Sequence, residues 1–487
     1  MTSLETAQEP QTLRRIAIEP VTRVEGHGKV TILLDENNRI HQVRLHIVEF
    51  RGFEAFIEGR PYWEIPVTVQ RLCGICPVSH HLAAAKAMDI IAGYGPLTPT
   101  AEKLRRLLHY GQIVQSHALH FFHLASPDLL LGFESEVAKR NIIGVAAAFP
   151  DLAKQGVLTR KYGQEVIRHI VGKRIHGTGC IPGGMNKALT AAERDLLRGE
   201  SERIVAWSRE AVGLARRLHE TQPEFYSRFG ESRANMMGLV NADGALDFYH
   251  GGLRANDADG ATIFDHVDYS TYPKLLREET KPWSYMKFPH IRSLGAEKGW
   301  YRVGPLARVQ IADHLPSPQA EEERKTFRAA SGGKPVHGAL FYHWARLIEM
   351  LCAAELLRDL LADPDIVGTD LMADKGPRRE EGIGVIEAPR GTLIHHYRVD
   401  EDDLVTFCNL IVSTTNNNQA MNEAIRVVAG QFLDGRQVTE GLLNHIEVAI
   451  RAYDPCLSCA THALGEMPLE VELVDADGAL VSRGRKD

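Results

Sequence analysis

No stretch of the 487 residues approaches the ~20 apolar positions that a membrane helix needs, and the opening MTSLETAQEPQT is polar, with no hydrophobic signal core. Excess positive charge is also missing. Against 63 Asp and Glu stand 56 Lys and Arg, a net charge of -7 with pI near 6.3, which removes the usual drive toward nucleic acid or anionic lipid. These absences lead us to expect a cytoplasmic chain with no nucleic-acid or membrane partner, leaving small substrates and other proteins. No repeat of 20 to 50 residues is visible, which argues against a solenoid. The hydrophobic fraction of 44% and charged fraction of 24% are those of an ordinary globular protein. Cysteine is scarce and odd in number, seven in all, which suits metal or catalytic work in a long reducing-compartment chain better than a disulfide framework.

Along the chain, residues 1–14 read as a flexible N-terminus and IAIEPVTRVEG as strand-like. GKVTILLDENNRIHQVRLHIVEF alternates apolar and polar residues around an Asp-Glu-Asn-Asn turn and predicts a β-hairpin. Helical spacing runs from Tyr62 to about Leu131, and LAAAKAMDIIAGYG ends in glycines as helices do. Gly183 and Gly184 mark a turn, and Thr190 with Glu193 predicts a capping box opening a helix to about His219. Arg228 to Gly304 has no long amphipathic period and is expected to be irregular α+β structure. HGALFYHWARLIEMLCAAELLRDLLAD is helical, GVIEAPRGTLIHHYRV extended, and Ala420 to about Arg451 helical again.

The chemistry concentrates in two segments at opposite ends of the chain, RLCGICPVSH (71–80) and DPCLSCATH (454–462). Each carries a Cys-x-x-Cys followed by a His. A turn between two such cysteines brings both sulfurs to one side, and four thiolates select soft or borderline ions: nickel, zinc, copper(I) or iron. A structural zinc is one reading, yet zinc modules keep their ligand pairs within about 15 to 20 residues of each other. A site assembled from both ends of a long chain must lie inside the fold, where water is excluded. Cys180, Cys352 and Cys408 are solitary, and a lone cysteine is ordinarily a small buried apolar residue.

The two segments resemble the paired signatures of nickel–iron hydrogenase large subunits, Arg-x-Cys-Gly-x-Cys-x-x-x-His and Asp-Pro-Cys-x-x-Cys-x-x-His. RVEGH from Arg23, FRGFE from Phe50, PGG from Pro182 and EAPRG from Glu387 agree in order, so the resemblance spans about residues 15 to 475. The full pattern is most similar to the soluble NAD-reducing type. It implies a mainly α fold with α+β elements: a central bundle of long helices, an N-terminal β-hairpin and a peripheral irregular α/β region. It also implies one catalytic domain over 15–462 that splits H2 reversibly and heterolytically.

By the same resemblance, Cys73 and Cys456 are terminal nickel ligands, and Cys76 and Cys459 bridge nickel to an iron carrying carbon monoxide and cyanide. Glu25 is a buried proton acceptor beside Cys456, and Arg390 directs its guanidinium at the open site and one cyanide. Thr414 donates to the second cyanide, although Ser413 stands where the family usually has proline. Ser116 replaces a common aspartate near the arginine, which implies a different network there. His80 would bond a bridging sulfur. Glu54, the carbonyl of Leu410 and His462 would hold magnesium. His81, His395 and His396 are given no chemistry.

The three remaining cysteines are too few and too scattered for an iron–sulfur cluster, and no Gly-x-Gly-x-x-Gly follows a strand, so electrons and NAD belong to partners. The resemblance names them: a small subunit with an iron–sulfur cluster, and diaphorase subunits carrying FMN, clusters and NAD. It further implies nickel-insertion proteins and a maturation protease that cuts between His462 and Ala463, removing 463–487. That segment is strand-like around an Asp-Gly turn and, out of context, reads as an ordinary C-terminal strand. Two rival readings remain: a structural-zinc protein, and a non-catalytic scaffold similar to the quinone-side subunit of respiratory complex I, a lineage that lacks the four cysteines.

Overall fold

Val30, Ile32 and Leu34 alternate along one strand and Val43, Leu45 and Ile47 along the next, all fully buried, and this period of two fixes which face of the N-terminal sheet meets the core. In the computed structural model, which describes residues 14–35, 37, 39–462, 469–474 and 480–486, Gly28–Leu34 pairs antiparallel with Ile40–Ile47 as the hairpin pattern predicts. Of the turn between them, Glu36 and Asn38 lie outside the described residues. Arg14–Ile18 pairs on the free edge of Gly28–Leu34, so the expected hairpin is a three-stranded sheet that takes in Arg14. The rest of the expected flexible N-terminus lies outside the described residues.

The bundle is built from long helices. Pro77–Ile91 is buried on nearly every side, as its Ala-rich composition requires. Pro99–Leu119 is capped by the Thr98 hydroxyl, which accepts from the Ala101 N–H. It packs against Pro150–Val171 and Phe341–Ala362, and the latter packs in turn against the 31-residue helix Ala191–Thr221. A Cβ at Gly163 would stand 2.6 Å from the carbonyl oxygen of Gly111, so two glycines set how closely the first of these pairs approaches. The Thr190–Glu193 capping box is present in both directions. The helical stretch expected over Ala420–Arg451 is two helices, Asn418–Phe432 and Glu440–Ala452, separated around Gly435, whose φ of 71° ends the first.

Between Arg228 and Gly304 the expected α+β region resolves into a four-stranded sheet in the order Tyr301–Arg302, Asn235–Val240, Gly252–Asn256, Thr262–Val267, and a two-stranded ribbon, Leu276–Lys281 with Ser284–Ile291. A third sheet joins Glu381–Ala388, Gly391–Val399 and Val405–Ile411, and its first strand lies on Pro77–Ile91. Ala388 pairs with Gly391, which leaves Pro389 and Arg390 as a two-residue hairpin tip. One apolar cluster runs from the N-terminal sheet through the bundle to Cys459. Beyond His462, Leu469–Val474 pairs antiparallel with Leu480–Lys486, while Ala463 and the Asp-Gly turn lie outside the described residues. Among the described residues no helix is long and apolar enough to cross a membrane.

Candidate metal centre

The first cysteine pair is set by a helix start. A short 3-10 turn, Val69–Leu72, ends in extended backbone at Cys73, and Cys76 is the residue before Pro77, whose ring suits the first position of Pro77–Ile91. The Ile75 and Cys76 N–H groups both donate to Cys73 Sγ at 3.2 Å. In the second pair Cys456 precedes, and Cys459 lies on, a short 3-10 turn, Ser458–Ala460, anchored from outside by side chains. All four Sγ atoms lie within 4.8 Å of one another and all four residues are buried. The closest separations are 2.8 Å for Cys456–Cys459 and 3.1 Å for Cys73–Cys456. Four buried thiols this close, with no disulfide, fit a soft metal, as the sequence spacing suggests. Burial works to raise the Cys73 thiol, but hydrogen bonds from Cys456, Cys459 and Cys76 outweigh it and hold Cys73 well below the ordinary range. Hydrogen bonds from Cys456 and Cys459 lower Cys76 to about 6. Burial pushes Cys456 and Cys459 up.

Glu25 reaches this cluster through the backbone: it forms an isolated parallel bridge with Cys456, its carbonyl accepts from the Leu457 N–H at 3.0 Å, and its carboxylate accepts from Cys456 Sγ at 3.0 Å and the Ser458 N–H at 3.2 Å. Gly26 makes this approach possible, because its φ is 82° and a Cβ there would stand 2.7 Å from the Ser458 nitrogen. The expectation of a buried glutamate needs correction, since this chain leaves Glu25 half-buried.

Arg390, at the hairpin tip, is buried, and its fork closes on Asp454: Nε donates to the Asp454 carbonyl and Nη2 to Oδ1 at 3.0 Å, while Nη1 meets Ser116 Oγ at 3.4 Å. Asp454 therefore supplies a carboxylate to the arginine where Ser116 offers only a hydroxyl. Sequence reasoning passed it over, although it stands two residues before Cys456 in the motif itself. Burial lifts Asp454 to about 6 against the pull of Arg390 and Arg346. Thr414 Oγ1 accepts the Cys456 N–H at 2.9 Å, which leaves its own hydrogen to donate, and Ser413 Oγ donates to the Gly391 carbonyl at 2.6 Å. His80 bonds His395 (Nδ1 to Nε2, 3.1 Å), which continues to the Tyr397 hydroxyl at 2.7 Å, so its hydrogen bond in this structure runs to a histidine and not to a sulfur. Cys76, Cys456, Arg390, Thr414, Ser79 and His80 line a small cavity of about 10 Å³. A wider open groove, between Pro150–Val171 and Ala191–Thr221, is lined by no cysteine or histidine, so size does not mark the site.

Glu54 and Leu410 are in direct contact, and Lys287 is a charged neighbour of both Glu54 and His462. Glu54 accepts from the Leu410 N–H at 2.9 Å and from Lys287 Nζ at 3.2 Å, and burial raises its carboxyl despite Lys287. Leu410 thus meets Glu54 through its N–H. Both ring nitrogens of His462 are buried without a side-chain partner, and burial, with Lys287 and Arg51 nearby, lowers the ring to about 3. A neutral imidazole whose ring nitrogens lack side-chain partners is a suitable cation ligand.

Comparison with known proteins agrees with this geometry. Residues 15–50 match the family model described as HoxL-like, and residues 51–135 and 240–462 match that of nickel-dependent hydrogenases. The NAD-reducing hydrogenase HoxS subunit beta of Cupriavidus necator is 47% identical over 482 residues, covering 96% of this chain and 99% of the relative. The crystal structure of an NAD+-reducing NiFe hydrogenase in the H2-reduced state superposes with a TM-score of 0.91 at 57% identity, over 92% of this chain and 99% of that one. The Ni-Fe-Se hydrogenase of D. vulgaris Hildenborough shares the fold at a TM-score of 0.75 and 23% identity, over 92% of this chain and 100% of that one. The chain belongs to the nickel-dependent hydrogenase family.

Proposed function

We propose that this chain is the hydrogen-splitting subunit of a nickel–iron hydrogenase whose electrons pass through partner subunits to NAD. The observation that carries the reading is the cluster of four buried thiols within 4.8 Å, with a carboxylate oxygen 3.0 Å from one of them. Cys73 and Cys456 would hold nickel, and Cys76 and Cys459 would hold nickel together with iron. When bound, this pair, with carbon monoxide and cyanide on the iron, supplies the heterolytic cleavage of H2.

The chain's own groups handle the proton and the charge. Cys456 Sγ passes a proton to Glu25 Oε2 along their existing contact, and the exposed side of Glu25 carries it onward. Arg390 places a fixed positive charge against the cavity, and its hold on Asp454 fixes the start of the loop that carries Cys456. Thr414 secures the same loop at the Cys456 N–H, and its hydroxyl, which lines the cavity, keeps a hydrogen to donate. His80 acts on the bridging sulfur through the ring orientation that His395 sets. Glu54, the Leu410 carbonyl and His462 would hold magnesium, for which the buried imidazole of His462, without a side-chain partner, is available.

Electrons leave through a small subunit with an iron–sulfur cluster and then an FMN-containing diaphorase; the NAD-reducing relative supports this assembly. The other cysteines, Cys180, Cys352 and Cys408, are buried outside the four-thiol group. The complex works in the cytoplasm. Residues 15–462 are the catalytic unit, and a maturation protease removes Ala463 to Asp487 after nickel-insertion proteins have acted. Two observations support this last step: the family match ends at residue 462, and His462 is buried in the core while carrying two ligands a few residues upstream. Intact mass and metal analysis of the active complex test the proposal together. Nickel and a chain ending at His462 are expected; zinc alone, or a fully active nickel-loaded chain still ending at Asp487, would overturn the metal assignment or the cleavage respectively.

A further inference from the structure

Ser79 is fully buried and lines the cavity between the two cysteine pairs, yet its hydroxyl has no hydrogen-bond partner. Serines in helices usually bond the carbonyl four residues back. Ser126 does so to Phe122 at 2.7 Å and Ser208 to Ile204 at 2.8 Å. For Ser79 that carbonyl belongs to Ile75, and both its lone pairs are taken, by Gln112 Nε2 at 2.9 Å and Gln115 Nε2 at 2.7 Å. The carbonyl three back, on Cys76, accepts the Ser79 N–H at 3.1 Å. The two glutamines on Pro99–Leu119 thereby deny Ser79 its local acceptor.

The other polar groups of the cavity are differently engaged. Ser413 donates to Gly391, Arg390 donates to Asp454 and Ser116, and Thr414 is fixed by the Cys456 N–H. Ser79 is left with a free donor at a buried position beside Cys76, where an unmet hydroxyl is costly. We infer that Ser79 donates a hydrogen bond to an anionic diatomic ligand of the iron held in this cavity, making it a further positioning residue of the centre. The inference rests on the nickel–iron reading above. The hydrogen bond withdraws electron density from the ligand and so from the iron, which links a residue of the first motif to the electronics of the site.

Infrared spectroscopy of the assembled enzyme tests this through the cyanide and carbon monoxide stretching bands, with S79A and S79T compared at equal metal content. S79A should shift at least one cyanide band, and S79T, which keeps the hydroxyl, should restore it. Cyanide bands of S79A at wild-type positions would overturn the inference, as would a shift confined to the carbon monoxide band, which would put the hydroxyl on the neutral ligand instead. Absence of all such bands in the wild-type enzyme would instead overturn the nickel–iron reading on which it rests.

Discussion

The two Cys-x-x-Cys pairs share a spacing and a cavity but differ in what holds them. Cys73 and Cys76 open a 15-residue helix that is buried on nearly all sides, so their position is inherited from the core. Cys456 and Cys459 lie on a short segment that ends in a three-residue turn, and its place is fixed by Glu25, Thr414 and Arg390, side chains drawn from distant parts of the sequence, Arg390 gripping it at Asp454. The acid–base state differs in the same direction: the scaffolded pair is held low, while burial pushes the anchored pair up. Identical motifs can thus play unlike parts, one as a preformed half-site and the other as a strap that completes it.

Removing a ligand should have the largest effect. In C456A the strap loses both a sulfur and its contact with Glu25, and hydrogen turnover should vanish along with nickel; normal turnover in that variant would refute the ligand assignment. Glu25→Gln keeps the shape of the strap contact but removes the exchangeable proton, so metal content should survive while hydrogen–deuterium exchange falls by about 10²-fold or more. Exchange at the wild-type rate would take Glu25 out of the proton route. Arg390→Lys keeps the charge but loses the fork that grips Asp454, and turnover should drop by about 10²-fold; a near-normal rate would place the guanidinium outside the reaction. Thr414→Val removes the acceptor for the Cys456 N–H and should destabilise the strap by roughly 1–3 kcal/mol, read as faster amide exchange around Cys456 with the first pair unaffected. Smallest is Thr190→Ala, which removes a cap far from both pairs: about 1 kcal/mol of thermal stability and no change in metal content.

How much of this could be read from the chain follows the same division. Where a residue's role is local, the pattern showed it: alternation gave the strand pair around residue 36, the Thr190–Glu193 spacing gave the capping box, and the helical period gave Phe341–Ala362. The four-cysteine cluster was legible because two identical spacings can serve one ion. What escaped was set by distant contacts. Arg14–Ile18 joins the sheet through pairing that no local period encodes, and Gly435 splits a stretch whose apolar residues continue on both sides. Asp454 was hidden because its partner, Arg390, comes from another hairpin, and the half-exposure of Glu25 depends on what the surrounding elements leave open. His395 drew no role because its bond to His80 crosses from strand to helix.

The central claim is that both pairs grip one nickel-containing centre. Anomalous X-ray scattering on crystals of the assembled enzyme, collected on either side of the nickel absorption edge, tests it most directly. A single nickel peak should lie among the sulfurs of Cys73, Cys76, Cys456 and Cys459; a zinc signal at that position, or nickel bound to only one of the two pairs, would contradict the account.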